Sequence, residues 1–281
     1  MKVPYPYSEV GHYEEKYGLK ENHDALLEIL VAFDKFCSEK GISYSLGDGT
    51  LLGVLRHGDF IPWDDDADVM VTREEYDKIR ACIGHTTEIK MFKLSFLDRV
   101  TIPKYAGTDK FIDLFINDEM PKSKFLFKHK KNMTYMLRCH FANQGTKNHR
   151  RTEYSGAKRT LRYVLGGIGK FIANIYIGKR DVWDLNDSIV RLGNAKGSGI
   201  YTRFTSRMYE TKRRFNKQKY DEGYTYADFR GTRLMVLKNA DVFLNEMYGD
   251  FSNLPPEEKR VPEHSVEFEV KIPDSYFKYF N

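Results

Sequence analysis

The segment Pro62-Trp63-Asp64-Asp65-Asp66-Ala67-Asp68 places the strongest condition on the fold. From Asp66 to Val71 polar and apolar side chains alternate, so Asp66 and Asp68 are expected on one face of a strand. Two carboxylates that point the same way supply hard oxygen ligands for magnesium and leave coordination sites for phosphates. Asp64 joins them if the chain there is extended, with Pro62 and Trp63 stiffening the approach. A buried group of like charges is costly without a cation, so the cluster predicts a metal. Taken alone, the string is as well read as a solvated acidic turn.

The surrounding sequence shifts that balance. Leu26, Ile29, Leu30, Phe33 and Cys37 recur at helical spacing between His23 and Cys37, and Gly41 follows as a stop. Ile42 to Leu46 suits a short buried strand, Gly47-Asp48-Gly49 a tight turn, and Thr50 the N-cap of a helix carrying Leu51, Leu52, Val54 and Leu55. The amino end of such a helix accepts phosphate through backbone N–H groups, which makes Gly47, Gly49 and Thr50 candidates for contact with a bound phosphate. Arg56 and His57 at its far end are candidates for the same ligand or for a plain capping role. A helix is expected from Arg73 to Cys82, then strands over Ile89 to Phe96, Arg99 to Tyr105 and Lys110 to Ile116. The last carries Asp113 between Ile112 and Leu114, and Asp113 completes a three-carboxylate cluster if its strand lies beside that of Asp68. Further on, Phe229 to Leu237 reads as a strand or hairpin, Asn239 to Tyr248 as a helix, and Leu254-Pro255-Pro256 as an extended exit.

A chain of 281 residues, 41% hydrophobic, can bury one substantial core or two modest ones. Its net charge of +5 is unevenly placed: from Lys122 to Arg180 basic residues interleave with aromatics, and Glu153 is the one acid. That segment needs an anionic neighbour or abundant solvent. It reads as a helical insertion suited to an anionic membrane surface; nucleic acid is the less favoured partner, because no recognisable RNA or DNA module accompanies the charge. Three widely spaced cysteines, Cys37, Cys82 and Cys139, argue against a disulfide framework or zinc knuckle. Met1 to Val10 lacks the apolar run of a signal peptide, and the best apolar stretch, Tyr163 to Ile177, is short and broken by glycines and Lys170. A cytoplasmic protein, peripheral on the inner face of the membrane at most, is the expectation.

The block Leu46 to Val71, LGDGTLLGVLRHGDFIPWDDDADVMV, resembles the signature of the LicD family, which includes bacterial phosphocholine transferases and is similar to animal fukutin-related proteins. Phe111-Ile112-Asp113-Leu114-Phe115 resembles its second acidic strand. Tyr248-Gly249-Asp250-Phe251 followed by Leu254-Pro255-Pro256-Glu257-Glu258-Lys259-Arg260 resembles its carboxy-terminal block. Asp48 stands where a second glycine is common in the family. The resemblance implies an α+β, nucleotidyltransferase-like fold, a mixed sheet flanked by helices with a basic, mainly helical insertion. Residues 1–120 would form the core, 121–200 the insertion, and 201–281 a carboxy-terminal part completing the catalytic domain. It also implies transfer of a phospho-alcohol, typically phosphocholine from CDP-choline, to a sugar hydroxyl of a lipopolysaccharide, teichoic acid or other surface-glycan precursor, presented on a lipid or free. Mg2+ or Mn2+ would be held by Asp64, Asp66, Asp68 and Asp113, with Asp66, Asp68 and Asp113 the catalytic carboxylates and Asp113 either a further ligand or the base. Lys259, Arg260 and His264 lie in the block that would close over the site. A nucleotidyltransferase that attaches a nucleoside monophosphate to a small molecule or RNA would use the same carboxylates, and a polyanion-binding protein without catalysis is the third reading.

Overall fold

The computed structural model describes residues 8–94, 97–145, 182–193, 197–204 and 214–262. The chain divides into two compact units, one made of residues 1–117 and 213–281 and the other of residues 118–212.

The first unit opens with helices α1 (Ser8–Tyr17) and α2 (Lys20–Lys40). In α2 the periodic residues Leu26, Ile29, Leu30, Phe33 and Cys37 are buried, and Gly41 closes the helix at φ 63°, a left-handed conformation that glycine adopts without strain. Strand β1 is short (Ser45–Leu46), and helix α3 (Asp48–His57) follows at once with Gly47 as its N-cap. The expected N-cap, Thr50, sits inside the helix. The reversal out of β1 is made at Asp48, whose φ is 38°, and the Thr50 hydroxyl instead accepts the Asp68 backbone N–H at 2.8 Å.

Strand β2 (Asp68–Thr72) starts two residues later than the alternation predicts. Side chains from α2 take the carbonyls just before it: Asn22 Nδ2 donates to the Asp65 carbonyl at 2.8 Å and His23 Nε2 meets that of Asp64 at 2.7 Å. Those groups are therefore lost to a β ladder. Helix α4 (Arg73–Ile83) is capped by the Thr72 hydroxyl, and strands β3 (Lys90–Leu94), β4 (Leu97–Thr101) and β5 (Ile112–Pro121) follow. The strand expected to reach Tyr105 ends at Thr101, and a 3₁₀ turn covers Pro103–Tyr105, where Pro103 cannot donate to a ladder. The sheet order is β1-β2-β5-β4-β3; β2 and β5 run parallel and the other pairs antiparallel.

In the second unit the end of β5 pairs antiparallel with β6 (Gly197–Thr202), and helices α5 (Lys124–Gly145) and α6 (Val182–Arg191) pack together. Phe127 lies 5.7 Å from Phe204, and the fully buried Lys130 ammonium sits 4.4 Å over the Phe204 ring. The apolar run Tyr163 to Ile177 and the rest of the basic segment from 146 to 181 lie outside the described residues. Among the described residues no helix is long and apolar enough to cross a membrane.

The chain then completes the first unit with β7 (Arg214–Asn216), the short helix α7 (Lys217–Tyr220), the hairpin β8 (Tyr224–Phe229) and β9 (Thr232–Leu237), and helix α8 (Ala240–Tyr248). Helix α8 packs on α3 and β9 packs on β1, so this carboxy-terminal part backs the elements that carry the acidic loop. The core is α+β: Phe33, Tyr44, Leu51, Val69, Ile79, Phe92, Leu114 and Leu244 are buried between the mixed sheet and its helices.

Candidate active site

Asp68 and Asp113 are direct partners in the parallel register of β2 and β5. Register neighbours project to the same face, so the two carboxylates stand side by side at the start of the two central strands. A backbone bond of 2.8 Å from the Asp113 N–H to the Ala67 carbonyl fixes the pairing one residue ahead of β2. Across the other edge of β5, Arg99 is the antiparallel partner of Asp113 and donates through Nε to its Oδ1 at 2.6 Å. The Arg99 guanidinium also lies 4.6 Å from the Phe111 ring.

Asp68 is buried, and its carboxyl is held well above the ordinary carboxylate range, first by burial and then by Asp66, Asp48, Asp113 and Asp64. Five carboxylates thus share one field. Asp48 was not among the residues that sequence reasoning selected; it is buried at the amino end of α3, in the left-handed conformation that suits the glycine common at this place in the family. Asp66 lies in the irregular segment before β2, not on the strand. Asp64, Asp65 and Asp66 are all half-buried.

Glycines seat the acidic loop on α3. A Cβ on Gly49 would stand 2.7 Å from Asp64 Oδ2, so the missing side chain is what lets this carboxylate sit over the first turn of α3. A Cβ on Gly53 would stand 2.4 Å from the Asp59 carbonyl oxygen, which makes Gly53 the point where the returning loop lies flat on the helix. Gly47 donates its N–H to the Asp68 carbonyl at 2.8 Å.

A network of charges clamps the loop from outside. The buried His23 ring is stacked on Phe60 at 4.6 Å, with Nδ1 2.7 Å from Glu14 Oε1 and Nε2 on the Asp64 carbonyl. Arg230 reaches Glu14 at 2.7 Å, Asp59 at 3.2 Å and Asp24 at 3.2 Å, and its own N–H donates to the Gly58 carbonyl at 2.9 Å. Like Asp48, Arg230 has a positive φ, 44°. Nothing local in the sequence marks Glu14, Asn22, His23 or Arg230, because each acts across tens or hundreds of residues.

Arg56 and His57 are both buried. Arg56 Nε donates to His57 Nε2 at 3.1 Å, and its Nη1 reaches the Phe251 carbonyl at 3.4 Å, so it ties α3 to the carboxy-terminal block. Burial, then Arg56, holds the His57 imidazole down at about 3, so it stays neutral near pH 7. Arg260 is half-buried: its guanidinium lies 5.6 Å over the Trp63 ring and its carbonyl accepts from the Tyr17 hydroxyl at 3.0 Å. The block therefore lies against the start of the acidic loop through Arg260, whereas Lys259 is exposed. His264 falls outside the described residues.

The donor set suits a hard divalent cation. It is all oxygen and strongly negative, and it surrounds a buried carboxyl whose ionisation the protein alone disfavours. Among the described residues the groups do not yet stand as a finished ligand set, and Arg99 shares Asp113.

A model of the LicD/FKTN/FKRP nucleotidyltransferase domain matches residues 41–156, from just before β1 to beyond α5. A lipopolysaccharide cholinephosphotransferase, LicD, of Haemophilus influenzae is 28% identical over 276 residues, covering 90% of this chain and 98% of that protein. An uncharacterised protein of Rickettsia prowazekii is 22% identical over 111 residues, 36% of this chain and 42% of its own length. The domain match spans the acidic loop and both carboxylate strands, and the Haemophilus protein is similar along nearly the whole length, so the chain resembles the LicD family in both respects.

Proposed function

We propose that this protein transfers a phospho-alcohol, in the first instance phosphocholine from CDP-choline, to a sugar hydroxyl of a cell-surface glycan precursor such as lipopolysaccharide or teichoic acid. The observation that carries the reading is the pairing of Asp68 with Asp113 on adjacent parallel strands, inside a field of five carboxylates. The full-length likeness to a lipopolysaccharide cholinephosphotransferase supports the choice of substrate class.

Asp64, Asp66, Asp68 and Asp113 would hold Mg2+ or Mn2+, which when bound neutralises charge on the diphosphate and on the departing CMP. The remaining work falls to the chain. The first helical bond of α3 runs from Leu51 N–H to the Gly47 carbonyl, so the amides ahead of it are not used within the helix and face the end where an anion is favoured. Gly49 keeps Asp64 over that same end. Asp113 receives the acceptor proton or serves as a fourth ligand; in either role it must stand as a carboxylate beside Asp68, and Arg99 offsets part of the like charge there. The phosphorus–oxygen bond to CMP breaks as the bond to the sugar oxygen forms.

Product analysis tests the assignment. With CDP-choline, Mg2+ and an acceptor glycan, CMP and phosphocholine-modified glycan should appear in equal amounts. Release of pyrophosphate from a nucleoside triphosphate, with no CMP from CDP-alcohols, would replace this reading with a nucleotidyltransferase.

A further inference from the structure

Helix α5 has two unlike faces. Phe127, Lys130, Thr134 and Leu137 turn inward at helical spacing: Lys130, Thr134 and Leu137 are buried, and Phe127 packs on Phe204. The opposite stripe, Lys124, Phe125, Lys128, His129 and Tyr135, is exposed. Phe125 is 81% exposed, the most exposed large apolar side chain among the described residues, and its ring lies 6.5 Å from that of His129. Lysines flank it at 124 and 128, Lys122 is exposed in the bend just before the helix, and no acidic residue occurs between Lys122 and Gly145.

A phenyl ring left in water beside exposed lysines takes no part in the buried face of the helix. We propose that this face of α5 docks the protein on an anionic lipid surface, with Phe125 entering the headgroup region and Lys122, Lys124 and Lys128 lying against acidic headgroups. Charge complementarity selects an anionic partner. Phe125, at 81% exposed against 44% for Tyr135 and with no polar group on its ring, favours a bilayer interface over a single-stranded nucleic acid, which is gripped by successive stacking platforms along a groove. Docking is independent of the activity proposed above and can fail or succeed without it.

The test is co-sedimentation of the full chain with vesicles of phosphatidylcholine alone and of phosphatidylcholine mixed with phosphatidylglycerol. Binding is expected to the mixed vesicles, to fall with added salt, and to weaken about fivefold for each of Lys124→Gln and Lys128→Gln, at roughly 1 kcal/mol per basic residue near the surface. Phe125→Ser should weaken it further at unchanged salt dependence. Thermal melts of the three variants should match the parent, since all three side chains are exposed. Equal binding to both kinds of vesicle, or unaltered binding by the folded variants, would overturn the proposal. So would single-stranded RNA that binds more tightly than the mixed vesicles and is indifferent to Phe125→Ser.

Discussion

Arg230→Met removes the cation at the centre of the clamp while keeping an apolar stem of similar length. In the folded protein Arg230 serves Glu14 and Asp59, whose side chains are 9% and 6% exposed, and Asp24, which is 47% exposed. The contact with Asp24 counts for little, because an exposed pair contributes about 0–1 kcal/mol. The other two matter: breaking a buried pair from one side costs about 3–5 kcal/mol, since a desolvated charge is left behind. Arg230 is itself 17% exposed, so water can partly replace it and the lower end of that range, about 3 kcal/mol, is expected. Burial already pushes the Asp59 carboxyl up against the pull of Arg230, so Asp59 should become the group that takes a proton when Arg230 is lost. Urea unfolding at pH 7 measures the loss, and Arg230→Met combined with Asp59→Asn should recover part of it through a coupling of about 1–3 kcal/mol. A single variant within about 0.5 kcal/mol of the parent would refute the reasoning, because that is the size of an ordinary surface change.

Two glycines of α3 should behave oppositely. Gly53→Ala drives a methyl into backbone at 2.4 Å from the Asp59 carbonyl oxygen and should destabilise by about 1–3 kcal/mol in urea melts, despite alanine's better helix propensity. Gly49→Ala meets the movable Asp64 carboxylate, so its melt should stay within about 1 kcal/mol of the parent while its Mg2+ requirement for turnover rises. His57 is held at about 3 in the folded state, against about 6.5 in an unfolded chain. The unfolded state therefore binds the extra proton between those values, and stability falls on acidification through that window by about 1.4 kcal/mol per pH unit. His57→Gln should flatten the fall, retaining about 2 kcal/mol more of its neutral-pH stability at pH 5 than the parent does; parallel profiles would show that His57 is not buried neutral.

Local pattern carried much of the architecture. The heptad-like apolar residues of α2, the Asp-Ala-Asp-Val alternation entering β2 and the apolar flanks of Asp113 each predict their element, because burial on one face imposes the period. Boundaries slipped where a distant partner competes. Thr50 looks like an N-cap until the Asp68 amide claims its hydroxyl, and Asp66 looks strand-borne until Asn22 and His23 claim the preceding carbonyls. The placement of Asp113 beside Asp68 depends on a parallel register between strands separated by α4, β3 and β4, which no short-range signal specifies. Arg99 and Arg230 were illegible for the same reason: a basic residue on a strand or in a hairpin is ordinarily solvated, and its role here comes from the acid that folding brings to it.

The central claim is that Asp68, with Asp64 and Asp66, holds a divalent cation beside Asp113 and that turnover depends on it. Its most direct test is the Mg2+ dependence of CMP release from CDP-choline by the parent and by Asp68→Asn. The near-isosteric amide removes one charge from the five-carboxylate field, so turnover at saturating donor should drop by at least about 100-fold, with the Mg2+ midpoint shifted upward. Full turnover by Asp68→Asn with an unchanged Mg2+ midpoint would contradict it.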